Sequence, residues 1–284
     1  MKLTITQFNE RFPDDDACLQ EIWNNRYGVV GNCTACSSKE TNFYKVNNRK
    51  CWACKDCGAQ IHPLADTIFH KSSTPLKVWF YAIFLFSKSK NGVSAKELER
   101  QLGVTYKTAW RMAKQIRTLF DIDDDKLDGI VEMDETYVGG KTTMDKKNDN
   151  KTPVVGAVER NGRIVAKVTG DATSTTLKNL MRQHIEIGTT LYTDEWRGYS
   201  RSNKLGYFHD TVVHSKFEWT DGSVHTNTIE GFWSQLKRSI RGTYHFVSPK
   251  YLQSYVNEFS FRYNHRHQQE YLFDLMIAQV VKHA

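Results

Sequence analysis

Two cysteine pairs, C33-T-A-C36 and C54-K-D-C57, constrain this chain more than any other feature. A C-x2-C turn lets two sulfurs face one ion, and the 17 residues between the pairs lie in the range of a four-thiolate zinc site. Four thiolates close a tetrahedral Zn²⁺ without an open position, so the role read for Cys33, Cys36, Cys54 and Cys57 is structural. Residues 1–70, read as one small domain, cannot bury a self-sufficient core. Metal binding, on the order of 10 kcal/mol, would supply much of the folding free energy. Between the pairs, FYKVNNRKCWACK alternates like a strand pair about Asn47-Asn48, which predicts a zinc ribbon. Cys18 and Cys51 are left as small buried hydrophobes, with Cys51 an alternative to Cys54 as ligand. His62 and His70 are read as satisfied polar residues, and the competing reading of the pairs is four unrelated free thiols.

Composition limits what surrounds the ribbon. The 284 residues are 39% hydrophobic and 25% charged, which excludes wholesale disorder and leaves room for two or three globular domains. The longest apolar run, Val78 to Phe86, is about half the ~20 residues of a membrane span. The opening MKLTITQFNERF has no apolar secretion segment, so a cytoplasmic, nucleoid-associated location is expected, where cysteines bind metal or stay reduced. A net charge of +7 suggests a polyanionic partner, and no membrane.

Residues 71–125 read as helical, closed by the acidic run Asp121, Asp123, Asp124 and Asp125 as a linker. Ser94 is a good N-cap, Leu98 and Leu102 share a face, Gly103 stops the helix and Thr105 caps the next. The second helix buries Ala109, Met112, Ala113 and Ile116, so the pair predicts a helix-turn-helix backed by PLKVWFYAIFLF. Its outer face offers Tyr106, Lys107, Arg111 and Lys114 to phosphates or base edges of double-stranded DNA. The bland alternative is a helical hairpin with a solvated basic face.

Residues 126–284 alternate like strands, and the first, DGIVEMDETYVGG, carries Glu132, Asp134 and Glu135 among apolar residues. PVVGAVERNGRIVAKVTGD predicts a hairpin about Asn161-Gly162. A helix, TSTTLKNLMRQHI, then a strand ending on Asp194, a short strand TVVHS and a helix from about Thr226 follow. A mixed sheet with the first strand beside the fourth brings Asp134 and Asp194 together at one sheet edge. On the last helix, Asn227, Glu230 or Gly231, Ser234 and Lys237 form one stripe. His209, His214 and His225 are candidates to line the site, Trp196, Trp219 and Trp233 to form core or back DNA, and EFSFRYNHRHQQ to form a closing helix.

From about residue 18 to 275, the motifs CTAC, CKDC, SAKELERQLGVTYKTAW, MDETYVGGK, TDEWRGY, VHTNTIEGFWSQLKRSIRGTYH and EFSFRYNHR resemble the zinc-ribbon type of bacterial insertion-sequence DDE transposase. The resemblance implies an α/β fold: an RNase H-like mixed-sheet catalytic domain preceded by a zinc ribbon and a helix-turn-helix domain. It also implies a transposase that binds element ends and performs Mg-dependent cleavage and strand transfer, using two Mg²⁺ or Mn²⁺ ions besides the structural Zn²⁺. Asp134, Asp194 and Glu230 match the acidic positions and Lys237 the following basic one, with Asn227 an open alternative at the third site. Arg238, Arg241, Lys250, Arg262 and Arg266 would extend a phosphate track. A homo-oligomer on element ends and target DNA is expected by analogy. Two other readings compete: a non-catalytic DNA-binding regulator, and an RNase H-like nuclease that cleaves without joining.

Overall fold

A computed structural model describes residues 3–28, 32–38, 42–120, 125–140, 151–212 and 225–282. The acidic run before Asp125, His214, Trp219 and the end of the TVVHS strand lie outside these residues. Two compact units divide the chain, with boundaries between Leu119 and Phe120 and between Arg266 and His267.

The first unit opens with two helices that the Cys-rich reading of residues 1–70 did not anticipate, α1 (Ile5–Arg11) and α2 (Asp15–Tyr27). Their local signals are present in the sequence. Thr4 and Gln7 form a reciprocal capping box, and Asp14 accepts the Ala17 N–H. Leu19, Ile22 and Trp23 then repeat at helical spacing and are buried. The ribbon follows as β1 (Phe43–Lys45), β2 (Trp52–Cys54) and β3 (Gln60–Ile61), an antiparallel sheet in that order. The turn between β1 and β2 uses Asn48 at φ 59°, a left-handed conformation that Asn tolerates. Trp52 of the ribbon stacks on Trp23 of α2, centroids 4.5 Å apart, which ties this small sheet to an apolar neighbour.

The four knuckle sulfurs all lie within 4.8 Å of one another. Tetrahedral bonds of about 2.3 Å place sulfurs about 3.8 Å apart. Cys33 and Cys57 are 3.7 Å apart, and Cys36 and Cys54 are 4.0 Å apart, so the set can hold one such ion. Cys51 is outside the quartet: it is fully buried and its sulfur faces Gln60 Oε1 at 3.7 Å. Cys18 is buried too, and desolvation pushes its thiol up to about 12.

Helix α3 (Leu76–Lys88) is the buried apolar helix, packed on α4 (Ala95–Leu102) and α5 (Tyr106–Arg117). Ser94 accepts the Glu97 N–H, Gly103 ends α4 at φ 63°, and Thr105 accepts the Thr108 N–H. Packing groups the elements differently from the three sequence zones, because the last helix, α9 (Leu272–Lys282), packs on α2 and α3. Its Phe273 meets the rings of Phe8, Phe12 and Phe80, so residues from His267 onward leave the carboxy-terminal unit in which the sequence reading placed them. Among the described residues, no helix is long and apolar enough to cross a membrane.

The second unit is built on a mixed sheet. Its strands are β4 (Ile130–Gly139), β5 (Lys151–Glu159), β6 (Ile164–Val168), β7 (Thr190–Asp194) and β8 (Phe208–Val212), in the order β6-β5-β4-β7-β8. β4, β5 and β6 are antiparallel neighbours, whereas β7 and β8 run parallel to β4. Strand β4, first of these five along the chain, therefore occupies the centre, the arrangement of an RNase H-like fold. Strict alternation divides β4 between two cores. Val131 and Met133 join α6 (Ser174–His184) through Leu177 and Met181, whereas Val138 joins α7 (Asn227–Ser239) and α8 (Pro249–Asn264). The expected closing helix is thus α8, begun earlier at Pro249 and followed by α9.

Bound metal per chain separates the two candidate ligand sets of the ribbon. Cys51→Ser is expected to retain one ion per folded chain and Cys54→Ser to lose it, with unfolding of β1–β3 seen as faster amide exchange. Equal metal loss from both variants would contradict the quartet.

Candidate active site

Glu132 sits on the α7 side of β4 with no exposure, and it is fully engaged. Its Oε2 accepts the backbone N–H groups of Thr228 at 2.8 Å and Ile229 at 3.1 Å, the free donors of the first turn of α7. Its Oε1 accepts from Thr228 Oγ1 at 2.8 Å and Arg160 Nε at 2.9 Å, with His225 Nδ1 at 3.2 Å. Thr226, the residue preceding α7, makes no capping bond with its side chain; the cap arrives from the sheet instead. Arg160 is itself held by the His225 carbonyl and lies over the Tyr192 ring.

Two residues along β4, Asp134 faces the same helix. Trp233 Nε1 donates to Asp134 Oδ2 at 3.0 Å. The indole reaches it because Gly156, the residue paired with Asp134 across β5, has no side chain: a Cβ there would lie 2.7 Å from two Trp233 ring carbons. On the other side, β4 pairs with β7 through Glu132 and Tyr192, and continuing that register by two residues brings Asp134 level with Asp194. Asp194 ends β7, and its Oδ1 accepts the Trp196 N–H at 3.0 Å.

Burial drives the Asp134 carboxyl up to about 7, and the negative charges of Glu135 and Asp194 push in the same direction. Glu135, on the opposite face of β4, accepts the Tyr199 hydroxyl at 2.7 Å, and burial also raises its pKa, with Asp194 adding to the shift. Burial raises Tyr199 as well, reinforced by Glu135, Asp134 and Asp194. Lys237, three turns into α7, is lowered by burial while the Asp134 charge opposes that shift. The structure thus brings together Asp134, Asp194 and Lys237, and adds Glu135, Tyr199 and Trp233.

The remaining expected residues are placed as follows. Glu230 and Asn227 are both exposed on the first turn of α7, and Glu230 Oε1 accepts from Thr226 Oγ1 at 3.0 Å. Among the described residues, the cysteine quartet is the one set of three or more metal-ligand atoms within 4.8 Å of one another; the carboxylates are more widely spread. Arg238, Arg241 and Lys250 are exposed. Arg262 and Arg266 are internal fasteners instead, Arg262 pairing with buried Glu258 at 2.8 Å and Arg266 donating to the Gly162 and Tyr263 carbonyls. His209 faces Thr193 Oγ1 at 2.9 Å. On α5 of the first unit, Tyr106, Lys107, Arg111 and Lys114 are exposed, joined by Trp110. Lys114 lies over the Trp110 ring, and Arg111 bonds Ser72 Oγ at 3.2 Å.

A carboxyl raised in the folded state binds its proton more tightly there than in the unfolded chain. The folded state is therefore favoured at low pH and loses that advantage as pH rises from about 4 through about 7. Without divalent metal, Asp134→Asn is expected to raise Tm by several degrees at pH 8 and to leave it unchanged at pH 4. A variant less stable than the parent at pH 8 would contradict the crowding of charge.

Residues 126–264 match the ISXO2-like transposase domain family. A protein of Halobacterium salinarum, described as an uncharacterized protein in transposable element ISH50, is 27% identical over 265 residues, covering 84% of this chain and 86% of that protein. Among solved structures, the catalytic core domain of BIV integrase matches 46% of this chain and 80% of its own, at 17% identity and a TM-score of 0.31. The unit that holds Asp134 and Asp194 is thus similar, over residues 126–264, to the ISXO2-like transposase domain family.

Proposed function

We propose that this chain binds the ends of an insertion sequence and cleaves and joins DNA strands at the Asp134–Asp194 edge of the sheet. The observation that carries the reading is the Asp134 carboxyl, held near pH 7 by burial and by two neighbouring carboxylates. Such a concentration of negative charge is costly by itself and is relieved by a hard cation. The donors are carboxylate oxygens, which suit Mg²⁺ or Mn²⁺, while the soft thiolate quartet suits Zn²⁺ and stays a separate, structural site. When bound, two such hard cations supply Lewis-acid polarisation and charge neutralisation at a phosphoryl group.

The chain's own groups do the positioning. Trp233 fixes one oxygen of Asp134. Lys237 brings positive charge to the same edge and can hold a phosphate beside Asp134. Glu230 and Asn227 are the two exposed side chains of the first α7 turn that would complete the set, and Glu230 is the assignment adopted by match to the family pattern. Exposed Tyr106, Lys107, Trp110 and Lys114 form the face of α5 proposed to enter a major groove of double-stranded DNA. A homo-oligomer assembled on DNA follows from the need to hold two ends.

Purified protein with Mg²⁺, end-containing duplex and target DNA tests the reading. Nicked ends and covalently joined donor and target are expected, and Asp134→Asn and Asp194→Asn should lower cleavage at least ~10³-fold while end binding persists. End binding without any nicking would leave a DNA-binding regulator, and nicking without joining a nuclease.

A further inference from the structure

We propose that the groove between the end of β4 and the turn after α7 is a nucleotide site, which takes one unpaired nucleobase and its phosphate from the strand adjoining the bond to be cleaved. The strand's identity rests on the transposase reading; the groove's chemistry stands on its own. Tyr137 and Val138 at the end of β4, Phe246, Lys237, Arg241 and His245 line the groove. Both rings are open to solvent, Tyr137 at 42% and Phe246 at 64%.

The backbone is distorted to build this groove. Helix α7 gives way at Ile240 to a π-helical turn, Ile240–Tyr244, a rare geometry that recurs at functional sites. His245 then adopts φ 60° and ψ −46°, and the Phe246 N–H donates to the Tyr244 carbonyl at 2.7 Å, closing a γ-turn around a residue that is not glycine. Such strain persists only where its surroundings enforce it. Tyr244 supplies the enforcement: its hydroxyl lies 3.3 Å from Glu258 Oε2 on α8, and its ring meets that of Tyr255 edge-on at 4.7 Å. Glu258 is buried and paired with Arg262, so the anchor is rigid. What the turn delivers is an aromatic ring and an imidazole, held out into solvent.

The occupant follows from the mixture. Lys237 and Arg241 make the groove a poor seat for an apolar peptide, and the open Phe246 ring is superfluous for a simple anion. Aromatic faces interleaved with lysine and arginine match a nucleotide, whose base stacks while its phosphate is neutralised. Lys237 joins the groove to the carboxylate edge, since it lines the one and feels the charge of Asp134 at the other. Tyr137 lies three residues beyond Asp134, about 10 Å along the strand. A DNA strand with a phosphate at Asp134 therefore carries its adjoining nucleotide to this groove. A base stacked within duplex has both faces covered by its neighbours, so a base that stacks on the open Phe246 ring must be unpaired.

The test places 5-iododeoxyuridine at each position flanking the cleavage point of end-containing DNA and irradiates its complex with the full-length protein. Crosslinks to Tyr137 or Phe246 from one or two adjoining positions are expected. Phe246→Ala should reduce their yield about tenfold, and Phe246→Trp should restore it. Phe246 is largely exposed, so its truncation leaves the core intact, and the crosslinking of unaltered protein is informative without any variant. Protein that nicks its ends yet crosslinks only elsewhere overturns the nucleotide site alone. Protein that crosslinks through these rings without nicking supports the groove and overturns the cleavage reading. Protein that neither binds nor nicks the ends overturns both.

Discussion

The buried carboxylate of Glu132 is the joint on which the second unit depends. It belongs to the central strand, yet it accepts the first free N–H groups of helix α7, so strand and helix are fixed at one point to within hydrogen-bond tolerance. Breaking a buried charged pair of this kind costs about 3–5 kcal/mol, comparable to a large part of a domain's net stability. Everything proposed for the site is counted from that joint. Asp134 follows two residues later on β4, Trp233 and Lys237 follow on α7, and the indole bond between Trp233 and Asp134 locks the second point of contact. Gly156 makes this second lock sterically feasible, because any side chain there would occupy the space of the ring.

A strand and helix locked together in this way can hold like charges that would otherwise separate. Burial raises the proton affinity of Asp134 and Glu135, and the charge of Asp194 adds to both shifts. The ribbon solves the opposite problem. Its sheet is too small to stabilise itself; a metal held by the cysteine quartet would supply what a core would, beside the Trp23–Trp52 stack. One chain thus uses two kinds of donor set: soft sulfur for architecture, and hard oxygen where the chemistry is proposed.

Sequence legibility followed the range of the interactions. The thiolate spacing, the caps Ser94 and Thr105, the Asn161-Gly162 turn and the strand alternation of β4 are local signals, and each appears where the sequence puts it. Alternation along β4 puts Glu132 and Asp134 on one face, and both meet α7. What could not be read is what lies far apart in the chain. Nothing near Arg160 signals that it would meet Glu132, and nothing near Arg262 that Glu258 would draw it inward. Trp233 was read as core or as a backing for DNA, and its N–H became visible as a partner only once Gly156 was placed beneath it. Helices α1 and α2 carried legible caps, but the cysteine pattern dominated the reading of that zone. The docking of α9 on the first unit depends on Phe273 finding Phe8, Phe12 and Phe80, a contact with no local trace.

The central claim is that Asp134 and Asp194 share divalent cations. Titrating Mn²⁺ into the full-length, zinc-loaded protein while following the free-ion electron paramagnetic resonance signal tests it without DNA or turnover. Saturable Mn²⁺ binding that Mg²⁺ displaces, and that Asp134→Asn or Asp194→Asn each abolish, is the predicted result. Binding that persists unchanged in both variants would place the cations elsewhere and contradict the claim.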